Sequence, residues 1–217
     1  MPIAIFHCPI QIIKRSRGRS VVEAAAYRSG EKLTNEWDGR THDYTRKGGI
    51  VHTEIILPAN APRDFYDRAT LRNSVEMSEK AANAQLAREV EVALPNELNR
   101  EEQLKLVREF VKDTFVDAGM CADIAVHDKG DGNPHAHIML TLRPLNPDGT
   151  WGAKCRKVYE LDADGNRIPE CRFSTSGRIW RNFSGRFALR NKRTISTRFV
   201  SSFRICWKVR WARATTA

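Results

Sequence analysis

Side-chain alternation marks strands along most of this chain, and three stretches switch to a helical period. Residues 2–13 alternate and predict a strand, followed by the basic loop KRSRGRS. In SVVEAAAYRSG, Ser20 with Glu23 three places on reads as a helix start and Gly30 as its stop, so Tyr27 falls in the last turn of a short helix. Residues 31–49 are polar and broken, which predicts an irregular, mobile arm. IVHTEIIL, 50–57, is β-branched and stops at Pro58. Residues 62–80 predict a helix opened by Pro62, with Phe65, Ala69, Leu71 and Val75 as apolar positions. AREVEVALP, 87–95, alternates again. Asn99, with Gln103 nearby, opens an amphipathic helix over 100–118 on which Leu104, Val107, Val111, Phe115 and Val116 keep helical spacing. Strands at 120–127 and 135–143 are joined by DKGDGNP, and 157–168 predict a hairpin around Asp164-Gly165.

This order predicts an α+β fold, an antiparallel sheet of about five strands with helices packed on one face. The strand faces agree with one another. Val90, Val92 and Leu94 share a face, as do Met120, Ala122, Ile124 and Val126, and Ala136, Ile138, Leu140 and Leu142. The opposite face collects Glu89 and Glu91 from one strand, His127 from the next, and His135, His137, Met139 and Thr141 from the last. Ionisable groups from three strands therefore meet on one surface.

Charge alters the picture less than its total suggests. The net charge is +10, yet from Cys171 to Ala217 there are twelve Lys and Arg and no Asp or Glu, leaving 24 basic and 26 acidic residues before them. The body is nearly neutral, and the basicity belongs to a poorly patterned tail. The length of 217 residues suits one sizeable domain with an appendage. No run of eighteen apolar residues occurs and the N-terminus lacks a cleavage site, which predicts a cytoplasmic protein without membrane insertion. Five cysteines, none in a C-x-x-C pair, predict free thiols.

The histidines carry the chemistry. His135 and His137 project in parallel from a strand end, and His127 on the hairpin partner supplies a third imidazole. Three neutral imidazoles leave open positions on a divalent ion, which can polarise a phosphoryl oxygen or activate water. Glutamates on a solvated strand face are common, but Glu89 and Glu91 share the histidine face, where one of them can orient a ligand imidazole. Lys14, Arg15, Arg17 and Arg19 beside the first strand, with Arg28, Lys32, Arg40 and Arg46, are candidate phosphate contacts. Trp37 and Tyr44 among them offer stacking surfaces for unpaired bases.

HDKGDGNPHAHIMLTLRP resembles the histidine-hydrophobe-histidine motif of conjugative relaxases, specifically the MobA/MobL family of plasmid mobilisation proteins. SRGRSVVEAAAYRSGEKL, VHTEIILPANAP and NAQLAREVEVALPNELNREEQLKLVREFV are similar to the same group, in the same order. The resemblance runs from about Pro2 to Pro169. It implies a five-stranded antiparallel sheet with flanking helices, and a nicking enzyme acting at a plasmid origin of transfer in bacteria. Tyr27 matches the nucleophile that forms a 5′-phosphotyrosine, His127, His135 and His137 match the metal ligands, and Glu89 or Glu91 matches the supporting acid. Magnesium or manganese is the expected ion. Single-stranded origin DNA is the expected partner, with relaxosome accessory proteins and a coupling protein beside it. Residues 1–169 are thus read as the nicking domain and 170–217 as a basic tail, aberrant or accessory. Two rivals stay open: a metal-dependent hydrolase or oxygenase that has no need of Tyr27, and a DNA-binding remnant that never nicks.

Overall fold

The computed structural model describes residues 9–154 in full and the backbone of two further strands. In chain order the elements are β1 (Ile10–Lys14), α1 (Val21–Ser29), β2 (Lys32–Thr34), β3 (Thr41–Asp43), β4 (Ile50–Ile56), α2 (Arg68–Ser78), β5 (Gln85–Ala93), α3 (Arg100–Val111), β6 (Ala122–His127) and β7 (His135–Thr141). Five strands form one sheet in the order β1-β5-β7-β6-β4, with every pair antiparallel. The expected α+β sheet is present, and the hairpin of β6 and β7 lies at its centre.

The helix layers are more evenly shared than alternation implies. Val90, Val92, Ile124, Val126, Ala136, Ile138 and Leu140 are fully buried on one face, each Val, Ile and Leu side chain among them contributing about 1.5–3 kcal/mol. Helix α3 reaches this face: Arg108 pairs with Glu54, which stands opposite Ile124 in register. Helices α1 and α2 lie on the other face, where Val21, Val22, Ala24, Ala25, Ala26 and Val75 pack with Ile13, Ala87 and Met139. The face carrying the ionisable residues is therefore half core and half site. Alternation separates the two faces of a strand but does not show that one face changes character along its length.

Local chemistry sets the helix ends. Ser20 Oγ accepts from the Val22 and Glu23 amides, and Glu76 of α2 accepts from Ser20 Oγ at 2.8 Å and the Val21 amide at 2.7 Å. Helix α1 stops at Gly30, whose φ of 70° suits glycine; a Cβ there would lie 2.5 Å from Ile50 Cδ1. The helix expected over 62–80 is split into a 3-10 turn, Arg63–Tyr66, and α2, because extended Asp67 accepts from the Thr70 amide and restarts the helix. Asn99 caps α3 in a reciprocal box with Glu102, while Gln103 instead donates to the Pro95 carbonyl at 2.7 Å. A π-helical turn, Lys112–Val116, follows.

The segment expected to be an irregular arm contains the hairpin β2–β3, paired as Lys32↔Asp43, Leu33↔His42 and Thr34↔Thr41. Leu33 is buried with α1, and Asn73 of α2 donates to the Thr34 carbonyl and accepts from the Glu36 amide. Three-residue strands are too short for alternation to reveal. Cys121 is buried as a free thiol, and burial pushes it up to about 11. No helix among the described residues is long and apolar enough to cross a membrane.

The chain divides into a unit ending at Gly152 and a second beginning at Ala153. In the second, β8 (Val158–Leu161) and β9 (Arg167–Phe173) pair antiparallel, as the hairpin pattern predicts. The expected boundary at 169/170 falls within β9. The turn at Asp164-Gly165, residues 2–8 of the first predicted strand, and the tail from 174 on lie outside the described residues.

Candidate metal and nucleophile site

Strands β6 and β7 bring the three histidines together by register. His127 stands directly opposite His135, and His137 is opposite Ala125 one pleat further in. Ring centroids are 4.7–5.5 Å apart, and one nitrogen from each ring lies within 4.8 Å of the others, close enough for small ring rotations to bring all three onto one ion. His127 is buried at 6% exposure, while His135 and His137 are half-buried.

The partners of the remaining nitrogens fix the tautomers. His127 Nε2 faces the Arg28 carbonyl at 2.7 Å, His135 Nδ1 the Asn133 carbonyl at 2.8 Å, and His137 Nδ1 the Glu89 carboxylate at 2.9 Å. Each partner is an acceptor, so each of these nitrogens carries the proton and the other keeps its lone pair. Burial pushes His127 down to about 4; its bond to Arg28 opposes this, and Lys47, His137 and His135 add to it. The ring is neutral at pH 7, as a metal ligand must be. The residues present fit a divalent ion.

Glu89, 3% exposed, is the acid that engages. Burial would raise its carboxyl, but hydrogen bonds from His137 and Arg28, together with their charges, outweigh this and hold it at about 2. Glu91 stands directly opposite His137 in register, yet its nearest oxygen is 3.8 Å from His137 Nδ1. The diagonal residue wins because Arg28 takes both Glu89 oxygens and holds them against the ring.

Helix α1 is joined to this cluster twice through Arg28. Its carbonyl receives His127, and its side chain, 9% exposed, pairs with Glu89 and donates to the Ala24 carbonyl at 2.7 Å. Tyr27, one residue earlier, is 48% exposed. Its ring meets the Tyr44 ring edge-on at 5.2 Å, and the Lys47 ammonium lies 3.8 Å from its centroid.

Comparison with known proteins identifies the family and the fold. The MobA/MobL family model matches residues 19–213. The chain belongs to the MobA/MobL family. That match continues past Pro169, the end of the motif resemblance. The conjugal transfer protein TraA of Agrobacterium fabrum is 46% identical over 178 residues, covering 76% of this chain and 16% of TraA. The mobilization protein MobL of Acidithiobacillus ferridurans is 38% identical over 185 residues, covering 74% of this chain and 47% of MobL. This chain therefore spans less than half the length of either relative. A solved structure concerning the molecular basis of vancomycin resistance transfer in Staphylococcus aureus superposes with a TM-score of 0.67 at 28% identity, covering 83% of this chain and 88% of that one. The fold is that of a MobA/MobL relaxase.

Within this relaxase fold the expected DNA contacts part company. Arg28 pairs with Glu89 inside the protein, so its charge is not presented to a phosphate. Arg15 bonds Glu76 Oε2 at 2.8 Å and the Glu76 carbonyl at 2.9 Å, and its guanidinium stacks 4.0 Å from the Trp37 centroid. One face of that indole is already taken. Arg17 and Arg40 are exposed, Arg40 lying 3.9 Å from Asp38. Lys32 is exposed 3.9 Å from Asp43, and such a pair is weak enough for a phosphate to displace. Lys14 and Arg19 are half-buried, with Arg19 3.4 Å from Gln11 Oε1. Sequence reasoning missed Lys47, which sits in an irregular turn where no periodicity distinguishes one lysine from another.

Proposed function

We propose that this chain nicks and reseals one DNA strand at a plasmid origin of transfer, with Tyr27 as nucleophile. The observation that carries the reading is the His127–Arg28 carbonyl bond, which ties the helix turn bearing exposed Tyr27 to one of three clustered imidazoles. A hydrolase would have no use for an exposed phenol on that turn.

His127, His135 and His137 would hold a divalent ion, magnesium or manganese. When bound, it would supply positive charge to a non-bridging phosphate oxygen. Glu89 keeps His137 in the tautomer with Nε2 free, and Arg28 keeps Glu89 ionised and fixed. The Tyr27 Oη–P bond forms as the bond from phosphorus to the 3′ oxygen breaks; the phenol proton is lost to solvent and the departing 3′ oxygen takes one up. A 5′-phosphotyrosine and a free 3′ hydroxyl result. One phosphodiester replaces another, so the reaction runs in reverse at little energetic cost and reseals the strand.

Exposed Arg17, Lys32 and Arg40, with the free face of Trp37, would bind single-stranded DNA beside the nick. Relaxosome accessory proteins and a coupling protein in the bacterial cytoplasm are the further partners this role requires. The test is to incubate the protein with a single-stranded origin oligonucleotide and manganese, then digest and map any denaturant-stable adduct by mass spectrometry. A nucleotide on the peptide containing Tyr27 supports the reading. Cleaved DNA with no adduct would make water the nucleophile and the protein a metal-dependent hydrolase.

A further inference from the structure

The turn from Tyr44 to Lys47 closes on Tyr27 from two sides. The Lys47 amide donates to the Tyr44 carbonyl at 2.9 Å, making a tight turn that sends both side chains the same way. Tyr44 presents its ring edge to Tyr27, 5.2 Å between centroids and 89° between planes. Lys47 Nζ lies over the Tyr27 ring and donates to the Tyr27 carbonyl at 2.8 Å. A ring held by an aromatic edge and a cation loses much of its rotational freedom before substrate arrives.

We propose that Lys47 is a positioning residue for the nucleophile, fixing the Tyr27 ring with Tyr44 and tightening its hold as the ring reacts. The inference rests on the reading of Tyr27 as nucleophile. A cation over a neutral phenol is attracted only by the ring quadrupole, whereas a phenolate spreads negative charge into the ring. The contact therefore strengthens as the phenol proton leaves, and an interaction that strengthens along the reaction raises the rate rather than the affinity. The neighbourhood keeps Lys47 in place for this. Gly49 lies against the Lys129 side chain, and the Asp128 amide donates to the Gly49 carbonyl at 2.8 Å, joining the turn to the loop between β6 and β7. Burial, with Arg28 and Lys129 nearby, brings Lys47 down to about 8, so it remains mostly charged at pH 7.

The experiment measures single-turnover adduct formation at saturating oligonucleotide, together with oligonucleotide affinity, manganese affinity and thermal transition, for Lys47→Met, Lys47→Arg, Tyr44→Leu and Tyr44→Phe. Lys47→Met keeps the unbranched stem and removes the charge. Its adduct rate should fall about tenfold while affinity changes by no more than about threefold, and Lys47→Arg should restore most of the rate. Tyr44→Leu, which removes the ring edge, should slow the reaction more than Tyr44→Phe, which keeps it. A parental rate in Lys47→Met overturns the proposal, as does an equal loss in Lys47→Arg, since charge would then not be what matters. A Tyr27→Phe control run alongside separates the two readings: if it still forms adduct, the nucleophile assignment fails whatever Lys47 does.

Discussion

Glu89→Gln isolates the charge that connects α1 to the histidine cluster while preserving shape. Glu89 Oε1 accepts from both Arg28 Nε and His137 Nδ1, and Oε2 accepts from Arg28 Nη2. A carboxamide turns one of these acceptors into a donor facing a donor, and it leaves the buried guanidinium without a counter-charge. Two routes give the size. A carboxyl moved from 4.5 to about 2 corresponds to about 3 kcal/mol, and removing one partner of a buried pair costs about 3–5 kcal/mol. A loss of about 3 kcal/mol should lower the thermal midpoint of a chain this size by roughly 6–12 °C. Because folding holds the carboxyl below its unfolded value, this contribution is complete above pH 4.5 and is lost as the pH falls through about 2. Urea unfolding of parent and Glu89→Gln should therefore differ by about 3 kcal/mol at pH 7 and converge toward pH 2. Manganese affinity, measured by calorimetry, should fall by about 10- to 100-fold. Glu91→Gln is the control and should stay within about 0.5 kcal/mol of the parent. A Glu89→Gln loss under about 1 kcal/mol at pH 7, or one equal to that of Glu91→Gln, would refute the reasoning.

Gly30→Ala places a methyl group against Ile50 at a φ of 70° and should cost more than about 1 kcal/mol in urea unfolding. By shifting the end of α1 it should also slow adduct formation; unchanged stability would show that the turn relaxes freely. Deleting residues 174–217, which carry eleven Lys and Arg, should leave manganese affinity intact and flatten the salt dependence of sequence-independent DNA binding. Loss of cooperative unfolding on deletion would show instead that the tail packs as structure.

Much of the fold was legible because alternation and capping are local. Ser20, Gly30 and Asn99 mark helix ends through bonds to residues within four positions, and the parity of His127, His135 and His137 survives any small error in strand boundary. What was not legible depends on neighbours distant in sequence. Parity places Glu89 and Glu91 on one face and register favours Glu91, but Arg28 arriving from α1 selects Glu89. The same contact removes Arg28 from the pool of DNA-binding charges, as Glu76 and Trp37 largely remove Arg15. Leu33 anchors a hairpin whose strands are too short to show a period, so the segment reads as an arm although α1 and Asn73 order it. Lys47 gains its place from a tight turn and from Tyr27, twenty residues away.

The central claim is that Tyr27 Oη is the nucleophile, and Tyr27→Phe tests it most directly. The substitution removes one oxygen and leaves the ring contacts with Tyr44 and Lys47 in place. Stability should change by no more than about 1.5 kcal/mol, and affinities for manganese and single-stranded origin DNA should match the parent. Covalent adduct and nicking should both vanish, while Tyr44→Phe continues to form adduct. If Tyr27→Phe cuts origin DNA at the parental rate, the account is contradicted.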